Sequence, residues 1–271
     1  MQVRTIGVVG AGVMGSGIAQ SLSLAGYDVR VHDLSDDVLN AFRHRIEQGR
    51  FGVRRGVELG KVTADQADAA LERIRTTTEL GEAVDGVDLV VEAIWEDFGL
   101  KIQTFAKLDR LAPAHTILAS NTSGFSIAAL AGATSRPEKV VGWHWASPAS
   151  IMKLAEVIAH PQTDPDTVDT VVEVARRAGK NPQVVKDNPL HWGFVANRVL
   201  IAAMEEARQI VAEGVATEEQ VDILLKDCFR WPSGLFEMLR NTSRNWDEAD
   251  KRTEPAGGGH AVRLNPSTGA T

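Results

Sequence analysis

Residues 10–15 read Gly10-Ala11-Gly12-Val13-Met14-Gly15, a G-x-G-x-x-G turn directly after the apolar run Thr5-Ile6-Gly7-Val8-Val9. A helical pattern opens within it, from Met14 to Ala25, and Gly26 closes that helix. The first glycine permits a tight turn and the second lets backbone approach a diphosphate. The third lets helix pack closely on strand, while the helix N-terminus offers N–H groups and a positive dipole end. Alone the pattern is weak; its context adds Asp33. This residue ends a second strand over Val29–His32, about twenty residues on, where a carboxylate binds both ribose hydroxyls and repels a 2′-phosphate. The cofactor contacts expected here are Gly10, Gly12, Val13, Met14, Gly15 and Asp33, with NAD favoured over NADP. The run Ile6–Met14 could imitate the apolar core of a signal peptide, but Gly10 and Gly12 fit a strand–turn–helix better.

Strand and helix signals alternate to about residue 187. Strands are expected at Asp88–Glu92, Thr116–Ala119, Val140–Trp143, Lys153–Ile158 and Pro182–Val185. A helix capped by Ser35 or Asp36 and helices over Gly99–Leu111 and Asp166–Ala178 lie among them. This predicts an α/β fold, a Rossmann-type doubly wound, mostly parallel sheet covered on both faces. The charged segment of about 41–74, broken by Gly52, Gly56 and Gly60, reads as an inserted helical arm or as an enlarged crossover. After Asn188-Pro189 the strand signals stop. Helices follow over Leu190–Glu213, from Thr217 to about Phe229, and over Leu235–Trp246. With 271 residues the chain is long enough for two domains: 1–187 for dinucleotide binding and 188–246 as a small, incomplete all-α domain. Residues 247–271, rich in Pro and Gly and without apolar periodicity, are expected to be a disordered tail.

A formal charge of −7 argues against nucleic acid as a partner. No apolar run reaches membrane-spanning length. One cysteine, Cys228, allows neither an intrachain disulfide nor a thiolate metal cluster, and points to a reducing, cytoplasmic compartment. Beside Phe229 and Trp231 it reads as a small buried residue. The seven histidines show no paired metal-ligand spacing, so no metal is expected.

His144 follows the Val140–Trp143 strand and Glu156 lies on the next one. A carboxylate against one imidazole nitrogen fixes the tautomer and raises the basicity of the other, which an alcohol giving up hydride requires. Spacing alone fits equally a satisfied core histidine between Trp143 and Trp145, with Glu156 as an edge-strand charge. Ser120-Asn121-Thr122-Ser123 stands where the ligand loops of parallel sheets sit, and it could also cap a helix starting near Ile127. Asn197-Arg198 is a polar pair in the otherwise apolar stretch Phe194–Leu200, as expected at a cleft between domains.

Together these residues resemble the 3-hydroxyacyl-CoA dehydrogenase family from residue 1 to about residue 240. The family's pattern reads here as Gly10–Gly15, Asp33, Val91-Glu92-Ala93-Ile94-Trp95-Glu96 with Lys101, Ser120–Ser123, His144 twelve residues before Glu156, and Gly193-Phe-Val-Ala-Asn197-Arg198. The resemblance implies NAD-dependent oxidation of an L-3-hydroxyacyl-CoA to the 3-ketoacyl-CoA. It makes His144 the general base, Glu156 its orienting partner, and Ser123 and Asn197 the holders of the substrate oxygen. Glu96 and Lys101 would line the nicotinamide end, with Asn121 also on the cofactor side. The arm, with Arg54, Arg55 and Lys61, falls where the family covers the CoA phosphates; by itself that charge run is a solvated face. A homodimer is implied through the helical domain.

Three departures stand out. The family's His-Phe-Phe-Asn-Pro is His144-Trp145-Ala146-Ser147-Pro148, and its Pro-Gly before Phe194 becomes His191-Trp192-Gly193. The helices that follow Gly234-Leu235-Phe236-Glu237 in the family, and its final Gly-Lys-x-Gly-Phe-Tyr stretch, are absent. Other readings therefore stand beside the first: a dehydrogenase of a non-CoA hydroxy substrate of the gulonate, carnitine or pyridine-carboxylate type, or a relative that binds NAD without catalysis. The 6-phosphogluconate and hydroxyisobutyrate class would need a lysine where Asn197 and Arg198 stand.

Overall fold

Strands covered on both faces need apolar residues in succession, and Ile6-Gly7-Val8-Val9 and Leu89-Val90-Val91 supply them. The computed structural model describes residues 2–240. Eight strands form one sheet: β1 (Thr5–Val9), β2 (Asp28–His32), β3 (Ile74–Thr77), β4 (Leu89–Glu92), β5 (Ile117–Ser120), β6 (Val140–Trp145), β7 (Leu154–Ala159) and β8 (Asn181–Lys186). Their order is β3-β2-β1-β4-β5-β6-β7-β8. The first six are parallel, β7 runs antiparallel to β6, and β8 is parallel to β7.

Neighbouring strand residues point to opposite faces, so each strand feeds two cores. Val8, Val29, Val91 and Trp143 pack with Ile18 and Leu22 of α1 (Val13–Leu24), Phe42 of α2 (Asp36–Gln48) and Val171 of α8 (Pro165–Arg177). Val9, Val90, Leu118 and Val140 pack instead with Val84 of α5 (Leu80–Val84), Phe105 of α6 (Phe98–Leu111) and Leu130 of α7 (Ile127–Ala131). The arm is the connection from β2 to β3. It consists of α2, α3 (Val53–Glu58) and α4 (Ala64–Glu72), and α4 packs on α1 with Ala67 and Ala70 buried. Thr63 and Gln66 close a reciprocal capping box at its start.

Several expectations need correction. Strand β3 and helix α5 fall outside the expected set, because Ile74-Arg75-Thr76-Thr77 is a half-exposed edge strand with little apolar signal. Strand β6 extends to Trp145, so His144 lies within it. Helix α7 is capped by Ser126, whose hydroxyl accepts from Ala129 N–H, and not by the Ser120–Ser123 run. Helix α9 (Val195–Ala212) begins at Val195 and not Leu190, because Gly193 takes a φ of +89° and breaks the helical path. Cys228 is exposed.

A compact unit covers Met1–Leu200 and a second begins at Ile201. In the second, α10 (Glu218–Phe229) starts from a Thr217–Gln220 capping box. Its buried Asp222 accepts from Phe236 and Glu237 N–H, holding a helical turn over 235–240. The rest of the helix expected to Trp246, and the 247–271 tail, lie outside the described residues. No helix among the described residues is long and apolar enough to cross a membrane.

Candidate active site

The strand order reverses between β1 and β4, where the crevice of a doubly wound sheet opens. Gly10, with φ of +105°, packs so closely that a β carbon would stand 2.5 Å from Ala93 O. At Gly15 a β carbon would stand 1.8 Å from Gly10 O, whereas nothing lies within 4 Å above Gly12. The first and third glycines thus serve packing, and the second leaves backbone open to a ligand. Asp33 reaches back to this turn, accepting 2.7 Å hydrogen bonds from Ala11 N–H and Leu34 N–H. Arg45 on α2 donates to Ala11 O and Ser16 Oγ, a link between arm and turn absent from the sequence expectations.

Antiparallel pairing sets His144 directly opposite Glu156. The imidazole Nδ1 lies 2.8 Å from Glu156 Oε2, with both side chains buried. The other carboxylate oxygen accepts from Ala196 N–H at 3.0 Å, in the first turn of α9. Burial would raise the Glu156 pKa, but the His144 hydrogen bond, the Ala196 N–H, the His144 charge and the Val195 N–H hold it below the ordinary glutamate value. An ionised Glu156 accepts a hydrogen bond from Nδ1–H, which leaves Nε2 bare and without a partner among the described residues. The Phe194 ring packs 5.9 Å from the imidazole.

Next to this pair stands the loop after β5. Asn197 Nδ2 donates to Ser123 O at 3.3 Å. Ser123 N–H donates to Glu96 Oε1 at 2.8 Å, and Thr122 Oγ1 donates to the same oxygen at 2.6 Å. Asn121 Oδ1 accepts from Trp145 N–H at 3.0 Å, tying this loop to the end of the His144 strand. All four expected catalytic residues are thereby joined through the first turn of α9, as two bonded pairs.

Beneath the loop lies a buried ion group. Lys101 is 1% exposed, and its ammonium sits 2.6 Å from Glu92 Oε1 and 3.2 Å from Glu96 Oε2. Glu92 also accepts from Ser120 Oγ at 2.6 Å and from Ile94 N–H at 2.9 Å. In the sequence Glu92 stands only within the motif Val91–Glu96, with no role of its own. A carboxylate ending the buried strand Leu89-Val90-Val91 was its signal. Behind His144, Lys180 donates to Ala149 O at 2.5 Å and Met152 O at 2.8 Å, and lies over the Trp145 ring. Burial lowers its pKa to about 8. The arm residues stand apart from these contacts. Arg54 pairs with Glu47 at 3.3 Å and Asp68 at 2.6 Å, and Lys61 is exposed. No group of three or more metal-ligating side chains occurs among the described residues.

Two family models match the chain: 3-hydroxyacyl-CoA dehydrogenase, NAD binding domain, over residues 5–188, and its C-terminal domain over residues 193–249. A probable 3-hydroxybutyryl-CoA dehydrogenase of Bacillus subtilis is 40% identical over 86% of this chain and 79% of its own length. The mitochondrial hydroxyacyl-coenzyme A dehydrogenase of Sus scrofa is 36% identical over 88% of this chain and 75% of its own length. Among solved structures, the (S)-3-hydroxybutyryl-CoA dehydrogenase PaaH1 of Ralstonia eutropha superposes with a TM-score of 0.81 at 32% identity, covering 91% of this chain and 88% of that one. The open backbone at Gly12 and the carboxylate of Asp33 fit the NAD that the N-terminal family description names.

Proposed function

The chain belongs to the 3-hydroxyacyl-CoA dehydrogenase family and is an NAD-dependent oxidoreductase acting on CH–OH; from this we propose that it oxidises an L-3-hydroxyacyl-CoA to the 3-ketoacyl-CoA with the His144–Glu156 pair as its base. The observation carrying this reading is the 2.8 Å contact of His144 Nδ1 with Glu156, which leaves Nε2 free to accept a proton.

In this mechanism Ser123 Oγ and Asn197 hold the substrate hydroxyl toward His144. Nε2 takes the hydroxyl proton as the carbonyl forms, and Glu156 stabilises the imidazolium. NAD bound there would supply the hydride acceptor. Gly10, Gly12, Val13, Met14 and Gly15 would hold its diphosphate and Asp33 its ribose, with Asn121, Glu96 and Lys101 framing the nicotinamide end. Lys101 acts from below, through Glu96. Lys61, with Arg54 once it exchanges its carboxylate partners, would meet the CoA phosphates. We place the protein in the cytoplasm as a homodimer; within the second unit the apolar side chains Leu224 and Phe229, 64% and 61% exposed, support a partner surface.

The test is reduction of NAD by 3-hydroxyacyl-CoA esters, with His144→Ala as the variant. Turnover should fall by about 10²–10⁴, the usual loss with a general base, while calorimetry shows NAD binding retained. Undiminished turnover overturns the mechanism. One observation favours a second reading: Arg54 already has two carboxylate partners, which suits a hydroxy substrate without CoA. Turnover on carnitine or gulonate alone would establish it.

A further inference from the structure

Residues 188–194 fold back across the loop that bears Ser123. Gly193 N–H donates to Gly124 O at 3.3 Å, and the Gly193 backbone, at φ +89°, fixes the direction of the chain there. A β carbon on Gly124 would stand 2.7 Å from Cδ2 and Cε2 of Trp192 and 2.3 Å from Gly193 N. The ring-fusion carbons of the indole therefore sit on the glycine backbone, in space that any other residue at position 124 would fill. Gly124 is buried by this contact, yet Trp192 itself remains 46% exposed. On the other side of Gly124, Phe125 pairs with Phe98 at 5.4 Å between ring centroids, and Phe98 is 43% exposed.

Ser123 thus has beside it a large apolar side chain, anchored on one surface and open on another. Exposed indole next to a polar anchoring point is covered favourably by an alkyl substituent of the molecule held there, because apolar area on both is removed from water. The same indole occupies volume that a longer alkyl chain would need, and its seat on Gly124 leaves it little freedom to move aside. Resting on the reading above that Ser123 holds the substrate oxygen, we propose that Trp192 is a specificity-determining residue, an apolar wall that favours short acyl chains on the carbinol carbon. Neither Trp192 nor Gly124 has a part in moving the proton.

The experiment compares kcat/KM of the parent, Trp192→Phe and Trp192→Ala on 3-hydroxybutyryl-, 3-hydroxyhexanoyl-, 3-hydroxyoctanoyl- and 3-hydroxydecanoyl-CoA. The parent should prefer the shortest ester. Trp192→Ala should raise the octanoyl-to-butyryl ratio by about tenfold or more, the discrimination that a methylene or two commands in an apolar pocket, and Trp192→Phe should fall between. The change should reside mainly in KM for the longer esters. A merely structural role for the indole would lower all four values together and leave the ratio alone. An unchanged or reduced ratio overturns the proposal while the dehydrogenase reading stands. If the parent turns over none of the esters, both fall. Should Trp192→Ala not fold, the Trp192→Phe ratio decides by the same criterion.

Discussion

Burial alone would push the Glu156 carboxyl upward, and the His144 ring with the Ala196 and Val195 N–H groups reverses that. The sign of the resulting pH dependence follows. A carboxyl held low in the folded chain contributes stability that is fully present above its unfolded value and lost as pH falls through the folded one. Glu156→Gln should therefore be less stable than the parent at neutral pH, with the gap closing as the pH drops below 4.5, the ordinary value for this group. Urea unfolding at a series of pH values measures it; a gap that stays constant into the acid range contradicts the charged, hydrogen-bonded carboxylate. The same substitution removes the acceptor that fixes the His144 tautomer, so turnover should fall too. From the sequence, His144 and Glu156 were equally a core histidine and an edge charge. The antiparallel pairing of their strands brings the two side chains together, and a twelve-residue spacing does not encode which residue lies opposite which.

Among the elements, β1, α1 and β2 were legible because their apolar runs and glycines are local signals. Strand β3 was not: Arg75 and Thr76 sit on a half-exposed edge, and pairing with β2, not composition, makes it a strand. The Glu92–Lys101–Glu96 group was hidden for a related reason. Its members lie within ten residues, at the end of β4, in the connection that follows and in the first turn of α6, but the sequence does not show that this connection folds the Lys101 ammonium back onto both carboxylates. These side chains brace the loop that carries Ser123, and their energetics make a prediction. Glu92→Gln leaves the buried Lys101 ammonium with one carboxylate, and should cost about 3 kcal/mol, as does breaking a buried ion pair from one side. The double change Glu92→Gln, Lys101→Met removes the stranded charge and should recover part of that loss. Calorimetric melting of the parent and three variants gives the coupling; additive losses would show that the two residues do not act as a unit.

Across the whole molecule, a ligand that binds the folded state stabilises it by RT ln(1 + [L]/Kd), about 2.7 kcal/mol at a hundredfold excess over Kd. NAD should raise the melting temperature accordingly and NADP much less, because Asp33 faces the turn with an unneutralised carboxylate. In Asp33→Ala the two cofactors should give nearly equal shifts; a preserved preference for NAD would place discrimination elsewhere. The antiparallel return of β7 has a further consequence, for how such a chain can vary. His144 and Glu156 are locked by the ladder, and a one-residue slip would swing the carboxylate to the opposite side of the sheet. Residues 146–153, which join the two strands, lie outside that ladder. Insertions, deletions and exchanges collecting there leave the pair facing each other. Ala146 and Ser147, two of the three positions at which this chain parts from the family's His-Phe-Phe-Asn-Pro, fall within that stretch, so the ground beside His144 can be reworked while His144 and Glu156 stay opposite each other.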